Sequence, residues 1–174
     1  MIVDACVYEN VIYTFEFDGQ DGYVCSYNLE GDLITKENVE YINEFLNTPD
    51  KITGKTETMG DIAVVNGYYF LDTLNGKRLV LQKTSDGWIK KEDLIMNRTG
   101  AISNLVKNSN PLGKKVILYD YNKEQLSCLD TEKDKNVNLN WDLTGAKFCM
   151  TDGKQLVFLN SENEYCYISD VFAK

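Results

Sequence analysis

The chemistry open to this chain is limited first by a residue it lacks. None of its 174 residues is histidine, which removes the usual general base, the commonest metal ligand and every Ser-His or Cys-His nucleophilic pair. Acids are plentiful, with 27 Asp and Glu. Two carboxyl groups at a suitable separation would serve glycoside hydrolysis, but no spacing singles out a pair. The stretch Asp18-Gly19-Gln20-Asp21-Gly22 has the short carboxylate spacing of a calcium loop. However, Gln20 stands where a second carboxylate is wanted and Leu29 where the closing Glu belongs. A glycine-rich hairpin turn accounts for it better, and Asp130 to Lys135 reads as a charged turn. The five cysteines, Cys6, Cys25, Cys128, Cys149 and Cys166, include no C-x-x-C pair and are odd in number, so buried reduced thiols are expected. No phosphate-binding, nucleophile-elbow or zinc-protease motif occurs. The sequence therefore predicts no catalytic residue, no cofactor and no metal.

Charge narrows the partners. A formal net charge of −9 and a pI near 4.6 oppose approach to phosphate backbones and anionic lipid. Neither nucleic acid nor a membrane is expected as a direct partner, and a protein is. No apolar run approaches the ~20 residues that span a bilayer. The opening MIVDACVYEN lacks the basic start and apolar core of a secretory leader, so a cytoplasmic location is expected.

The elements that must position any site are repeated. Residues 64 to 88 place Asn66-Gly67, Asn75-Gly76 and Asp86-Gly87 around two apolar runs, and similar patterns start near Tyr8, Pro111 and Thr151. Keyed on Asn10, Gly67, Gly113 and Gly153, the copies are spaced by 57, 46 and 40 residues. Such spacing, with several strands per copy, points to propeller blades rather than helical solenoids. The first run of each copy (Val11 to Tyr13, Tyr68 to Leu71, Val116 to Tyr119, Leu156 to Leu159) is almost continuously apolar, as in a strand covered on both faces. The second alternates, with Tyr23, Cys25, Tyr27 and Leu29 on one side, which predicts one wet face. The long first step holds an insertion over 35 to 60. There Thr35 reads as an N-cap, Val39, Ile42, Phe45 and Leu46 fall on one helical face, and Pro49 ends the helix. The expected organisation is one repeat-built domain over 1–174, with units near 4–34, 61–96, 101–138 and 143–174.

At Asn66-Gly67-Tyr68-Tyr69-Phe70, Leu79-Val80-Leu81 and Asp86-Gly87 the chain resembles blade repeats of bacterial β-propeller domains of unknown function. The resemblance implies a binding scaffold and transfers no catalytic residue. The fold expected is all-β and propeller-like, with about four hairpin units and one short helix. A β-sandwich or barrel is the alternative.

With scaffold signals present and reactive-site signals absent, the sequence predicts a non-catalytic binding module that acts through loops on one rim. Segments that interrupt the repeat are free to vary. They nominate Glu40, Glu44 and Asp50 around the helix and Lys107 and Asn110 in a second irregular stretch. Trp88 is either a packing residue or a ligand platform. Two alternatives remain: an acidic inhibitor that occupies a basic site on a host enzyme or nucleoprotein, and a carbohydrate-binding domain.

Overall fold

Local chemistry sets the chain reversals. Glu9-Asn10 and Asn66-Gly67 are two-residue loops with positive φ at both positions, 47° and 63° in the first and 46° and 77° in the second. That is the conformation whose twist matches a tight antiparallel hairpin, and Asn and Gly adopt it at low cost. Longer turns are closed by a side chain at the end of the preceding strand. Asp18 Oδ1 accepts from the N–H groups of Gln20 and Asp21, both at 2.9 Å. Asn28, Asp130 and Asn160 do the same for their own turns. These Asx turns explain why the repeats are punctuated by Asn and Asp.

The protein is described as a computed structural model over residues 1–49, 54–74, 76–95, 114–120, 125–139, 148–151 and 155–169. It divides into two compact units, Met1–Ile102 and Ser103–Lys174. The first holds two antiparallel sheets. One contains β1 (Ile2–Tyr8), β2 (Val11–Phe17), β3 (Gly22–Tyr27) and β4 (Leu33–Asn38). The other contains β5 (Met59–Val65), β6 (Tyr68–Thr73), β7 (Arg78–Thr84) and β8 (Gly87–Lys90). Helix α1 (Glu40–Asn47) lies between them in sequence. The second unit holds a sheet of β9 (Lys115–Asp120), β10 (Gln125–Asp130) and β11 (Lys135–Leu139). It also holds a sheet of β12 (Phe148–Thr151), β13 (Gln155–Leu159) and β14 (Tyr165–Ser169).

The protein is thus mostly β with one short α-helix among the described residues. Within each sheet every described strand pairs antiparallel with its neighbours in sequence. Four consecutive meanders are the pairing pattern of propeller blades, and the long-range crossings of a Greek-key sandwich are absent among the described strands.

Packing in the first unit follows from residue type. Phe15 and Val24 of the first sheet join Ile62, Val64, Tyr69, Leu71, Leu79 and Leu81 of the second in one apolar cluster, completed by Ile42 and Leu46 of α1. Asp4 Oδ2 accepts from the N–H of Ile62 at 2.9 Å, which ties β1 to β5. The opposite face of the second sheet is buried too, through Tyr68, Phe70 and Val80. All six positions of β6 are accordingly buried, as its continuous apolar run requires. In the second unit Val116, Ile117, Leu118, Leu126 and Leu129 are buried.

Two expectations need correction. Residues 35–38, assigned to a helical insertion over 35 to 60 capped by Thr35, belong to β4 instead. Thr35 pairs opposite Ser26, with their hydroxyls 2.7 Å apart, because β-branched Ile34 and Thr35 fit a pleated strand better than a helix start. The helix begins only at Glu40, after Val39, and is anchored by Asn43, whose Oδ1 accepts from the Gly22 N–H at 2.9 Å. The alternating run, in turn, does not have one wet face throughout. Arg78 to Leu81 and Leu126 to Leu129 are buried without interruption, whereas Tyr165 and Tyr167 are exposed. Alternation reports the pleat, but covering of the second face depends on residues distant in sequence.

Candidate functional site

Glu40 and Glu44 lie one turn apart on α1 and are exposed. Ile42 and Leu46 are buried on the opposite side of the helix, so the pair points away from the core. Asp50, Lys107 and Asn110 lie outside the described residues.

Trp88, on β8, joins the two sheets of the first unit. Its indole N–H donates to Glu37 Oε2 on β4 at 3.0 Å. Glu37 also binds the Lys83 ammonium, which sits 4.8 Å from the centre of the Trp88 ring. The Tyr69 ring meets Trp88 edge-on with centroids 4.7 Å apart, and Tyr13 meets Tyr69 edge-on at 5.8 Å. Burial pushes both tyrosines above the ordinary phenol range, and repulsion by the ionised forms of Cys6 and Glu9 adds at Tyr13 and by those of Tyr13 and Glu37 at Tyr69. They are therefore neutral near pH 7. The indole N–H is taken by a carboxylate and the ring edge by tyrosine, so Trp88 acts here as a joint between sheets.

A second group lies on the other face of the first sheet. Tyr27 donates to Glu16 Oε1 at 2.5 Å and Thr14 donates to the same oxygen at 3.1 Å. The Lys36 ammonium is 3.7 Å from Glu16 Oε2 and 4.4 Å from the centre of the Tyr23 ring. The bond to Glu16 pushes the Tyr27 phenol up to about 12 and holds the Glu16 carboxyl below its usual range. Asp18 is held low by the turn N–H groups of Asp21 and Gln20, and Asp130 by that of Lys133. A general acid at neutral pH needs the opposite, a carboxyl raised by desolvation or by a like charge. The thiols of Cys25 and Cys128 are raised, chiefly by burial, which makes them poor nucleophiles.

The third feature is a buried ion pair. Arg78 Nε and Nη2 donate to the two oxygens of Asp72, each at 2.6 Å. Arg78 is fully buried and its Nη1 has no hydrogen-bond partner. Close by in sequence, Lys77 pairs with buried Glu57 at 2.7 Å. Among the described residues no group of His, Cys, Asp and Glu is arranged to hold a metal.

Sequence reasoning nominated Trp88 and missed its partners Glu37 and Lys83, and also Arg78. The signal for Arg78 was present, since a cation heading the run Leu79-Val80-Leu81 and facing Asp72 across a hairpin implies a buried pair.

No family model matches the chain, and no curated protein does. Among solved structures it is similar to a candidate 6-phosphogluconolactonase from Bacteroides uniformis, with 15% identity and a TM-score of 0.46 over 95% of this chain and 52% of that one. It is also similar to PorZ, an essential surface component of the type-IX secretion system of Porphyromonas gingivalis, with 10% identity and a TM-score of 0.28 over 97% of this chain and 33% of that one. The chain spans about half the length of the first of these. At such identity neither residues nor activity transfer.

Proposed function

We propose that the four sheets are blades of a β-propeller-type domain and that the domain is a non-catalytic protein-interaction module acting through the segments that connect its sheets. The observation that carries this reading is α1. Ile42, Leu46 and Asn43 pin the helix to the scaffold, while Glu40 and Glu44 face solvent. A rigid element that displays charge without using it in packing suits recognition.

The test is capture of partners from the native host by the wild-type chain and by the double variant Glu40→Lys/Glu44→Lys, with melting temperature measured on both. Loss of a captured protein at unchanged melting temperature supports the reading. Identical capture by both contradicts it. The net charge of −9 favours a second reading, an acidic inhibitor on a basic site; steep weakening of the same complex with salt separates it from an interaction of ordinary salt dependence.

A further inference from the structure

Among the described strands β4 is an edge. It pairs with β3 on one side and with no described strand on the other, so a row of backbone N–H and C=O groups faces outward. Natural sheets protect such edges with charged side chains, proline or a covering element. Here Leu33 and Ile34 are 54% and 55% exposed and Leu29, in the turn before them, is 57% exposed. The one lysine of the strand, Lys36, is turned back toward Glu16 and the Tyr23 ring. Acids stand at both ends of the strand: Glu30 and Asp32 precede it, Glu40 and Glu44 follow on α1, and all four are exposed.

We propose that β4 is a docking edge for an extended peptide with an apolar centre and lysine or arginine at both ends. The inference rests on the interaction reading above and names the class of partner. Main-chain hydrogen bonds from an added strand would supply affinity, with alternate side chains packing on Leu33 or Ile34. The acids at the two ends would select a basic sequence and speed its arrival. A second copy of this chain fits less well. Antiparallel pairing of two β4 edges would bring Glu30 and Asp32 of one copy against Glu40 and Glu44 of the other, placing like charges together.

The probe is a labelled peptide with a Val-Thr-Val-Thr-Val centre between two lysine pairs, followed by fluorescence anisotropy and by amide hydrogen exchange of the full chain. The expected result is saturable binding that slows exchange within residues 33–38. N-methylation of the central peptide amides should abolish it, and Leu33→Ser/Ile34→Ser should weaken it about tenfold while leaving melting temperature unchanged. The inference is overturned by absent binding, by equal binding of the methylated peptide, or by protection confined to other residues. It is also overturned by a concentration-dependent dimer of the chain that Leu33→Ser/Ile34→Ser abolishes, since that result makes the second copy the occupant. If the edge fails these tests while Glu40→Lys/Glu44→Lys still removes a captured partner, the interaction reading stands without it. If the edge binds and capture ignores the helix acids, the fault lies in the role given to α1.

Discussion

The indole nitrogen of Trp88 and the carboxylate of Glu37, 51 residues apart in sequence, meet at 3.0 Å and join the outer strands of two sheets. The carboxylate also holds Lys83, and the side chains of both are about one-third exposed, at 33% and 35%. The ion pair itself is therefore worth little, on the order of 0–1 kcal/mol. The larger effect is expected at the ring. Trp88→Phe keeps much of the contact with Tyr69 and loses the hydrogen bond, so it should cost about 1 kcal/mol, whereas Trp88→Ala should cost about 3 kcal/mol. Urea titration of the first unit's unfolding measures both. Equal, negligible costs would show that the joint does not hold the sheets.

The buried pair of Asp72 and Arg78 predicts an asymmetry. Asp72→Asn leaves a guanidinium buried without its counter-charge and should destabilise by roughly 3–5 kcal/mol. Replacing both residues with apolar ones of similar size, Asp72→Leu with Arg78→Met, should recover most of that loss, because Arg78 Nη1 is already without a partner and its desolvation is uncompensated. A double variant no better than the single one would mean that the pair determines the fold of the hairpin rather than burdening it.

The bond between Tyr27 and Glu16 predicts a pH dependence on both sides of neutrality. The folded phenol titrates near 12 against an ordinary value of 10.0. Its stabilising contribution is thus fully present below pH 10 and is lost as pH rises toward 12. Glu16 is shifted the other way, so its contribution is present above its ordinary value of 4.5 and is lost as pH falls below it. Tyr27→Phe should remove Tyr27's share of the alkaline change, leave that of Tyr13 and Tyr69, and move the Glu16 carboxyl back up. Phenolate absorbance and carboxyl NMR shifts follow the two groups. An alkaline absorbance titration that loses no late-titrating phenol in the variant would rule out Tyr27 as one of them.

Two glycines should resist substitution for different reasons. Gly67 has φ of +77° in the β5–β6 hairpin, so alanine there should cost about 1 kcal/mol. At Gly22 the obstacle is space. An added Cβ would stand 2.9 Å from Phe15 Cζ and 3.1 Å from Ile42 Cγ2, and relief requires Phe15 or α1 to move, at about 1–3 kcal/mol. Crowding at Gly22 should also speed exchange of the α1 amides, and Gly67→Ala should not. The same exchange pattern in both variants would remove the distinction.

What the sequence determined by itself was local and periodic. Asn66-Gly67, Asp18, Asn28, Asp130 and Asn160 make turns through their own side chains or their own φ, so hairpins and their repetition were legible without any distant residue. The continuous run Tyr68 to Leu71 likewise reported a strand buried on both faces. Other features were decided only by tertiary structure. Residues 33–38 carry a pattern compatible with helix or strand, and pairing with β3 settled it. Exposure of Leu33 and Ile34 depends on no other described strand lying outside them. The burial of Arg78 and the use of Trp88 as a joint depend on Asp72 and Glu37 being brought within hydrogen-bond reach. A side chain's local preference is readable from its neighbours in the chain, but its solvation and its partners are set by groups that only folding brings near.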